Sequence, residues 1–189
     1  MTAAAAARAP VGARLPGQVM LHPAMVLAVG VLAVNDHWLK GRIGAEPGVG
    51  LVTGKLSDVA GLAFFPALLV SVVEVVRWLG HRLGHRRGDG WVCTRREMAA
   101  AAAVTAAGFA AVQVLPAAAA GYEAVLTVLR WWPGAAVAVV AGGPSPPLPQ
   151  IDHVMDATDI LCLPAVWVGY RAGCRVGVPD TRRAGADGR

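Results

Sequence analysis

Apolar residues in this chain fall into long unbroken runs, and charged residues are bunched between them. A water-soluble fold alternates polar and apolar positions at the period of its helices or strands. Runs near 20 residues instead have the length of a bilayer-spanning helix. Four such runs stand out, at residues 19–39, 59–79, 98–115 and from 151 or 157 to 170. The third is rich in alanine, and the last has the shortest purely apolar part. A fifth apolar stretch, residues 122–141, is broken by Arg130, Trp131, Trp132 and Pro133, which predicts an interfacial or re-entrant segment. The expected fold is therefore all-α: a membrane-embedded bundle of four transmembrane helices, with that segment before the last.

Composition agrees. The chain is 56% hydrophobic and only 15% charged, with a mean hydropathy of +0.52, outside the range of an ordinary soluble domain. The organisation expected is a disordered Ala-rich tail over residues 1–18, a membrane domain over 19–172 and a basic tail over 173–189. Arg8, Arg14 and the apolar run after them resemble a signal peptide, but no small-x-small cleavage site follows, so an uncleaved first span is expected. The Pro- and Gly-rich stretch 142–149 reads as a stiff external linker.

Charge orients the bundle. Arg77, Arg82, Arg86, Arg87, Arg95 and Arg96 follow the second run; Arg171, Arg175, Arg182, Arg183 and Arg189 follow the last; Arg8 and Arg14 precede the first. The other connections hold only Lys40, Arg42, Lys55 and Arg130. The positive-inside rule then puts both termini and the Arg-rich loop in the cytoplasm, which requires an even number of spans. The net charge of +5 is thereby assigned to membrane orientation and anionic headgroups. No basic stripe interleaved with aromatics points to nucleic acid. Cys93, Cys162 and Cys174 make no even disulfide framework and are read as packing residues.

A short acidic phrase occurs twice. Ser57-Asp58-Val59-x-x-Leu62 is followed by Pro66, and Thr158-Asp159-Ile160-x-x-Leu163 by Pro164. An ionised group beside a span is costly and rare without a reason. Counting about 20 helical residues from each inner arginine locates these groups. Ser57 falls at the outer boundary of the second span. Gln113 lies about one turn below it on the third, and Asp156 and Asp159 one to two turns below it on the fourth. Asn35, Asp36 and His37 sit about one turn deep on the first. The unusual polar residues of all four spans thus share one depth. The candidate cluster is Asp36, His37, Lys55, Asp58, Gln113, Asp156 and Asp159. If the last helix starts near residue 151, Asp152, Asp156 and Asp159 share a face, with His153 beside it. An Asp-His pair precedes the phrase in both halves, which reads as a weak parallel duplication.

Two explanations of the acids stand side by side. Ser57-Asp58 and Thr158-Asp159 are good N-cap and first-turn residues, and an anion there complements the helix dipole. The other explanation is a shared site for a cation or a polar headgroup. Lys40 and Lys55, the only lysines against fifteen arginines, flank the first outer connection. Either one would neutralise Asp36 or Asp58, or meet a phosphate. Residues 48–57 fail as a phosphate loop, with Val49 and Leu56 where Gly and Ser or Thr are required. His81 and His85 have the i, i+4 spacing of a metal pair but stand among arginines. Glu74 and Arg77 read as an intrahelical pair. No nucleophile is accompanied by an evident base. Ala103, Ala107, Gly108 and Ala111 give the third span a small-residue packing face.

The blocks Asn35-Asp36-His37-Trp38-Leu39-Lys40, Thr53 to Leu62 (TGKLSDVAGL) and Asp156-Ala157-Thr158-Asp159-Ile160 resemble a group of uncharacterised bacterial integral membrane proteins with NDHxLK, TGKLSDxAGL and DxTDL phrases. The resemblance covers about a third of the chain and implies a membrane location and no activity. Members often carry an aromatic where Val59 stands and Pro where Ala157 stands; the acids are unaffected. The function expected is that of a multi-pass membrane protein without an enzymatic role, with the lipid bilayer as its one partner and no cofactor or protein partner assigned. The alternative is a membrane-embedded metal-dependent enzyme acting on a lipid or phosphate ester. There Asp36, Asp58, Asp156 and Asp159 hold a divalent cation and Lys55 binds the phosphate.

Overall fold

The computed structural model describes residues 15–43, 49–84 and 90–176. Among these residues the chain is all-helical, with no strand. A single 3-10 turn, Gln18–Leu21, leads into α1, Pro23–Val34. The His22 ring caps α1 by accepting from the Ala24 N–H at 3.2 Å, and Pro23 occupies the first helical position, where no N–H is missed. The helix then widens into a π turn, Asn35–Leu39, and ends in a short helix α2, Lys40–Ile43. α3, Val49–Leu83, is the long central helix; it packs on α1, on α4 (Arg95–Val114) and on α6 (Val166–Arg175). Between α4 and α6 come α5, Pro116–Ala141, a stretch over residues 142–156 without regular secondary structure, and a 3-10 helix, Ala157–Ala165.

α3 from Val52 onward, α4 and α5 are each long and apolar enough to cross a membrane. α1 with its π turn is as apolar but shorter. Large apolar side chains on these helices, including Phe65, Val76, Leu129 and Val140, are exposed.

Four expectations need correction. Ser57 and Asp58 do not open a helix: α3 starts at Val49, so an N-cap role for the first copy of the acidic phrase is excluded. Residues 151–156 are not helical, so Asp152, Asp156 and Asp159 share no helical face; Asp156 is itself the N-cap of the 3-10 helix. Arg130 to Pro133 lie inside one continuous helix. Proline there deletes a single hydrogen bond in a 26-residue helix, which its remaining bonds tolerate. Arg77 does not take Glu74 as its ion-pair partner; it binds Glu97 at 2.6 Å. Residues 1–14, His85 and the tail beyond 176 lie outside the described residues. Within the tail expected to be disordered, Gly17 donates its N–H to Glu74. Cys93, Cys162 and Cys174 form no disulfide.

The bundle has two ends. At the arginine-rich end Glu74 is fully buried on α3 and accepts the Gly17 N–H at 3.0 Å and the Cys93 N–H at 3.1 Å. Beside it Thr94 and Glu97 form a reciprocal capping box at the start of α4. A core of Val19, Met25, Ala67, Val70, Cys93, Met98 and Ala172 fills this half. Leu62, Cys162 and Val166 fill the other, packed against Ala102, Ala106 and Phe109.

α6 is held close to α3 by a small residue. A side-chain carbon on Gly169 would run into the Ala63 carbonyl and crowd Pro66. Pro66 has no N–H to give the preceding turn, and α3 nevertheless continues through it. Gly169→Ala is expected to lower the unfolding temperature in detergent by an amount reflecting about 1–3 kcal/mol of overpacking. Gly61→Ala, where an added carbon meets nothing within 4 Å, is expected to leave it unchanged.

Candidate functional site

The end of the bundle opposite the arginines gathers most of the polar residues singled out above, in two groups. The first joins α1 to α3. Asn35 is completely buried; its amide donates to the Thr53 carbonyl at 2.7 Å and to the Ser57 Oγ at 2.6 Å. Ser57 Oγ in turn donates to Asp36 Oδ1 at 2.7 Å, and Lys40 pairs with that same oxygen at 2.8 Å. The π turn makes this arrangement: it starts at Asn35, and its wider winding lets consecutive residues, Asn35 and Asp36, both reach α3. Asn35 Oδ1 is buried without a hydrogen-bond partner among the described residues.

The second group joins α3, α4 and the last helical segment. Lys55 Nζ donates to Asp159 Oδ1 at 2.6 Å and Thr158 Oγ1 at 2.8 Å, and lies 3.7 Å from Asp156 Oδ2. Gln113, buried on α4, donates to Asp159 Oδ2 at 2.9 Å and accepts the Asp156 N–H at 3.2 Å. Both Asp159 oxygens are therefore engaged, and the ammonium makes two hydrogen bonds to one short segment, with Asp156 as a longer ion-pair contact. Asp156 caps that segment by accepting the Thr158 N–H at 2.8 Å. The Thr158 hydroxyl and N–H together hold the Asp156 carboxyl below the ordinary carboxylate range.

Asp58 stands between the groups without joining either. It is partly buried, within electrostatic reach of Asp159, Lys55, Lys40 and His153. His37 is exposed and joins neither group. Of the lysine partners expected, Lys40 neutralises Asp36 as anticipated, and Lys55 neutralises Asp159 in place of Asp58. The helical spacing explains the second choice. On α3, Lys55 and Asp58 are i, i+3, while Asp159 arrives from another segment and meets the ammonium head-on.

Asn35, Thr53, Ser57 and Thr158 belong to the networks, although they are not among the charged candidates. Ser57 and Thr158 are the hydroxyl partners in the doubled phrase, so the phrase itself carried their signal. Among the described residues, no three His, Cys, Asp or Glu side chains converge to hold a metal ion.

α5 attaches to this same end and leaves the bundle there. One extended residue, Leu115, separates it from α4, and α4 is the helix it packs against. Gly142, at φ 68°, ends α5, and the chain then runs back along it. Gly143 N–H bonds the Ala138 carbonyl, Trp131 Nε1 donates to the Pro146 carbonyl at 2.8 Å, and the His153 N–H donates to Glu123 at 2.8 Å. The Tyr122 and His153 rings meet edge to face, 5.4 Å apart. The excursion thus starts beside Gln113 and ends beside Gln113.

Comparison with protein-family models, with curated proteins and with solved structures finds no match to this chain.

Gln113→Leu is expected to lower stability by about 1–3 kcal/mol, since it strips one Asp159 oxygen and the Asp156 N–H of their partners. Equilibrium unfolding in detergent measures it; Asp58→Asn, with no such bonds to lose, is the smaller change in the same assay.

Proposed function

We propose that this is a four-span protein of a bacterial cell membrane, with both termini cytoplasmic. In this reading the acidic cluster is a clasp that joins helix ends at the outer boundary rather than a reaction centre. The observation that carries it is the pairing of Lys55 with Asp159, with Thr158 as a second partner of the ammonium and Gln113 on the other carboxylate oxygen.

The spacing of the two polar layers supports the span count. Glu74 meets Gly17 and Cys93 at one level; Asn35 and Lys55 meet their partners near the level of Ser57. Roughly 17 residues of α3 separate these levels, about 26 Å of helix. On α4 roughly 16 residues separate Glu97 from Gln113, about 24 Å. A hydrocarbon core is about 30 Å thick. Four segments run between the layers: residues 18–39, α3, α4, and the 3-10 helix continued by α6.

α5 falls outside this count because of how it returns. Its return, residues 143–156, has neither helix nor strand and carries prolines at 144, 146, 147 and 149. Such a backbone is not stable exposed to lipid, where unpaired peptide groups cost several kcal/mol each. A helix that crosses by α5 would have to come back through lipid by this stretch. We read α5 and its return as an interfacial or re-entrant hairpin on the outer side. The three blocks that carry the resemblance to bacterial membrane proteins are also the three whose side chains meet in the clasp, which favours the same reading.

The enzymatic alternative requires Asp156 and Asp159 free to bind a cation and Lys55 free to bind phosphate. Lys55 occupies both acids, and Asp36 is taken by Lys40 and Ser57.

Topology is tested by labelling in intact cells with a membrane-impermeant thiol reagent, starting from a variant whose three cysteines are replaced. Ser145→Cys is expected to label and Gly90→Cys to remain unlabelled until the cells are opened. Labelling of Gly90→Cys from outside would overturn the four-span reading.

A further inference from the structure

The polar clasp lies at one end of the bundle; the other end has a feature that it leaves unexplained. Between α4 and α6 there is a cavity of about 300 Å³ lined by Ala99, Ala102, Val166, Trp167 and Tyr170. It opens where α4 carries only the small side chains of Ala99 and Ala102 opposite Val166, Trp167 and Tyr170. The gap lies one to two turns from the arginines that begin α4 and end α6, and Trp167 on its wall is 59% exposed.

Its rim is cationic. Arg171 lies over the Trp167 ring, 5.8 Å from the centroid, and Trp167 packs against Tyr170 with ring centroids 5.0 Å apart. Arg95, the first residue of α4, lies one helical turn before Ala99 of the lining, and Arg171 follows Tyr170 directly. Both arginines are exposed, and neither forms an ion pair among the described residues; the nearby Glu97 is engaged by Arg77. An apolar slot in the lipid-facing surface, topped by two cations and a phenol, has the shape and charge of a phospholipid's glycerol and upper acyl chain below an anionic headgroup. A zwitterionic headgroup would place a choline or ethanolamine cation among the arginines.

We propose that the groove between α4 and α6 binds one anionic phospholipid of the cytoplasmic leaflet, with an acyl chain along Ala99, Ala102 and Val166 and the headgroup phosphate between Arg95 and Arg171. The proposal rests on the membrane reading above.

The test uses the full chain purified in detergent, after alkaline carbonate extraction of cells has placed it in the membrane pellet. Recovery in the soluble fraction would overturn the membrane reading itself, separately from the lipid site. Lipid adducts are then counted by native mass spectrometry against dioleoylphosphatidylglycerol and dioleoylphosphatidylcholine. Wild type is expected to retain one phosphatidylglycerol and to prefer it over phosphatidylcholine. Arg95→Gln with Arg171→Gln is expected to weaken phosphatidylglycerol binding about 30-fold, from about 1 kcal/mol per lost cation. Ala99→Trp, which fills the slot and leaves the arginines in place, is expected to abolish the retained adduct. Glycerol phosphate without acyl chains is expected not to displace it. Equal retention of both lipids, or full retention in both variants with unchanged far-ultraviolet circular dichroism, would overturn the proposal. Displacement by glycerol phosphate would also overturn it, in favour of a simple phosphate site.

Discussion

The ion pair between Lys55 and Asp159, at 2.6 Å and 104 positions apart in the chain, fixes where the last segment begins. That segment cannot anchor itself by helical strength. It opens as a 3-10 helix, Ala157–Ala165, and 3-10 geometry is rarely stable over such a length on its own. It follows a proline-rich stretch without regular secondary structure. Lys55 takes its threonine and both its acids, and Gln113 takes the backbone N–H at its cap. α3 and α4 thereby set the height and rotation at which α6 descends. From that start Gly169 arrives beside the Ala63 carbonyl, and Gly173 beside Met98.

Such polar ties matter more here than in a soluble core. Between helices in lipid there is no hydrophobic driving force, so association depends on close packing and on hydrogen bonds. Both devices are present, each in its own place. Small residues, Ala63, Ala67, Gly169 and Ala172, fill the middle of the bundle. Polar ties close its ends: Asn35 with Thr53 and Ser57 and the Lys55 group at one end, Glu74 with two backbone amides and Arg77 with Glu97 at the other. The fully buried Glu74 carboxylate also ties the N-terminal turn and the α3–α4 connection to one point, which keeps the first segment antiparallel to α3.

What was legible in the sequence was depth. Counting from arginines placed Asn35, Ser57, Gln113 and Asp159 near one boundary, and in the folded chain Asn35 meets Ser57 while Gln113 meets Asp159. Partnership was less legible. Lys55 with Asp159 is a contact across 104 positions, and nothing in spacing along one helix distinguishes it from Lys55 with Asp58. The N-cap reading of Ser57 failed because α3 begins eight residues earlier, at Val49; Gly50, Gly54 and Lys55 set the apolar run back to residue 59, whereas the helix extends through them and meets Asn35 at the Thr53 carbonyl. The same limit applies to α5. Its length was legible, and Arg130 to Pro133 suggested a break, yet whether proline interrupts a helix depends on what packs beside it. Here the returning chain supports it, with the Trp131 indole bonded to Pro146 and Gly134 against the Pro146 ring.

The most direct measurement of the clasp is a double-mutant cycle on Lys55→Met and Asp159→Leu, followed by thermal unfolding in detergent with and without Mg²⁺. Each single change leaves one charge without its partner, and the double change removes both. A clasp predicts that each single variant melts lower than wild type, that the double variant recovers part of the loss, and that Mg²⁺ alters none of them. Strict additivity of the two losses, or a Mg²⁺-dependent rise in the wild type that Asp159→Leu abolishes, would contradict it.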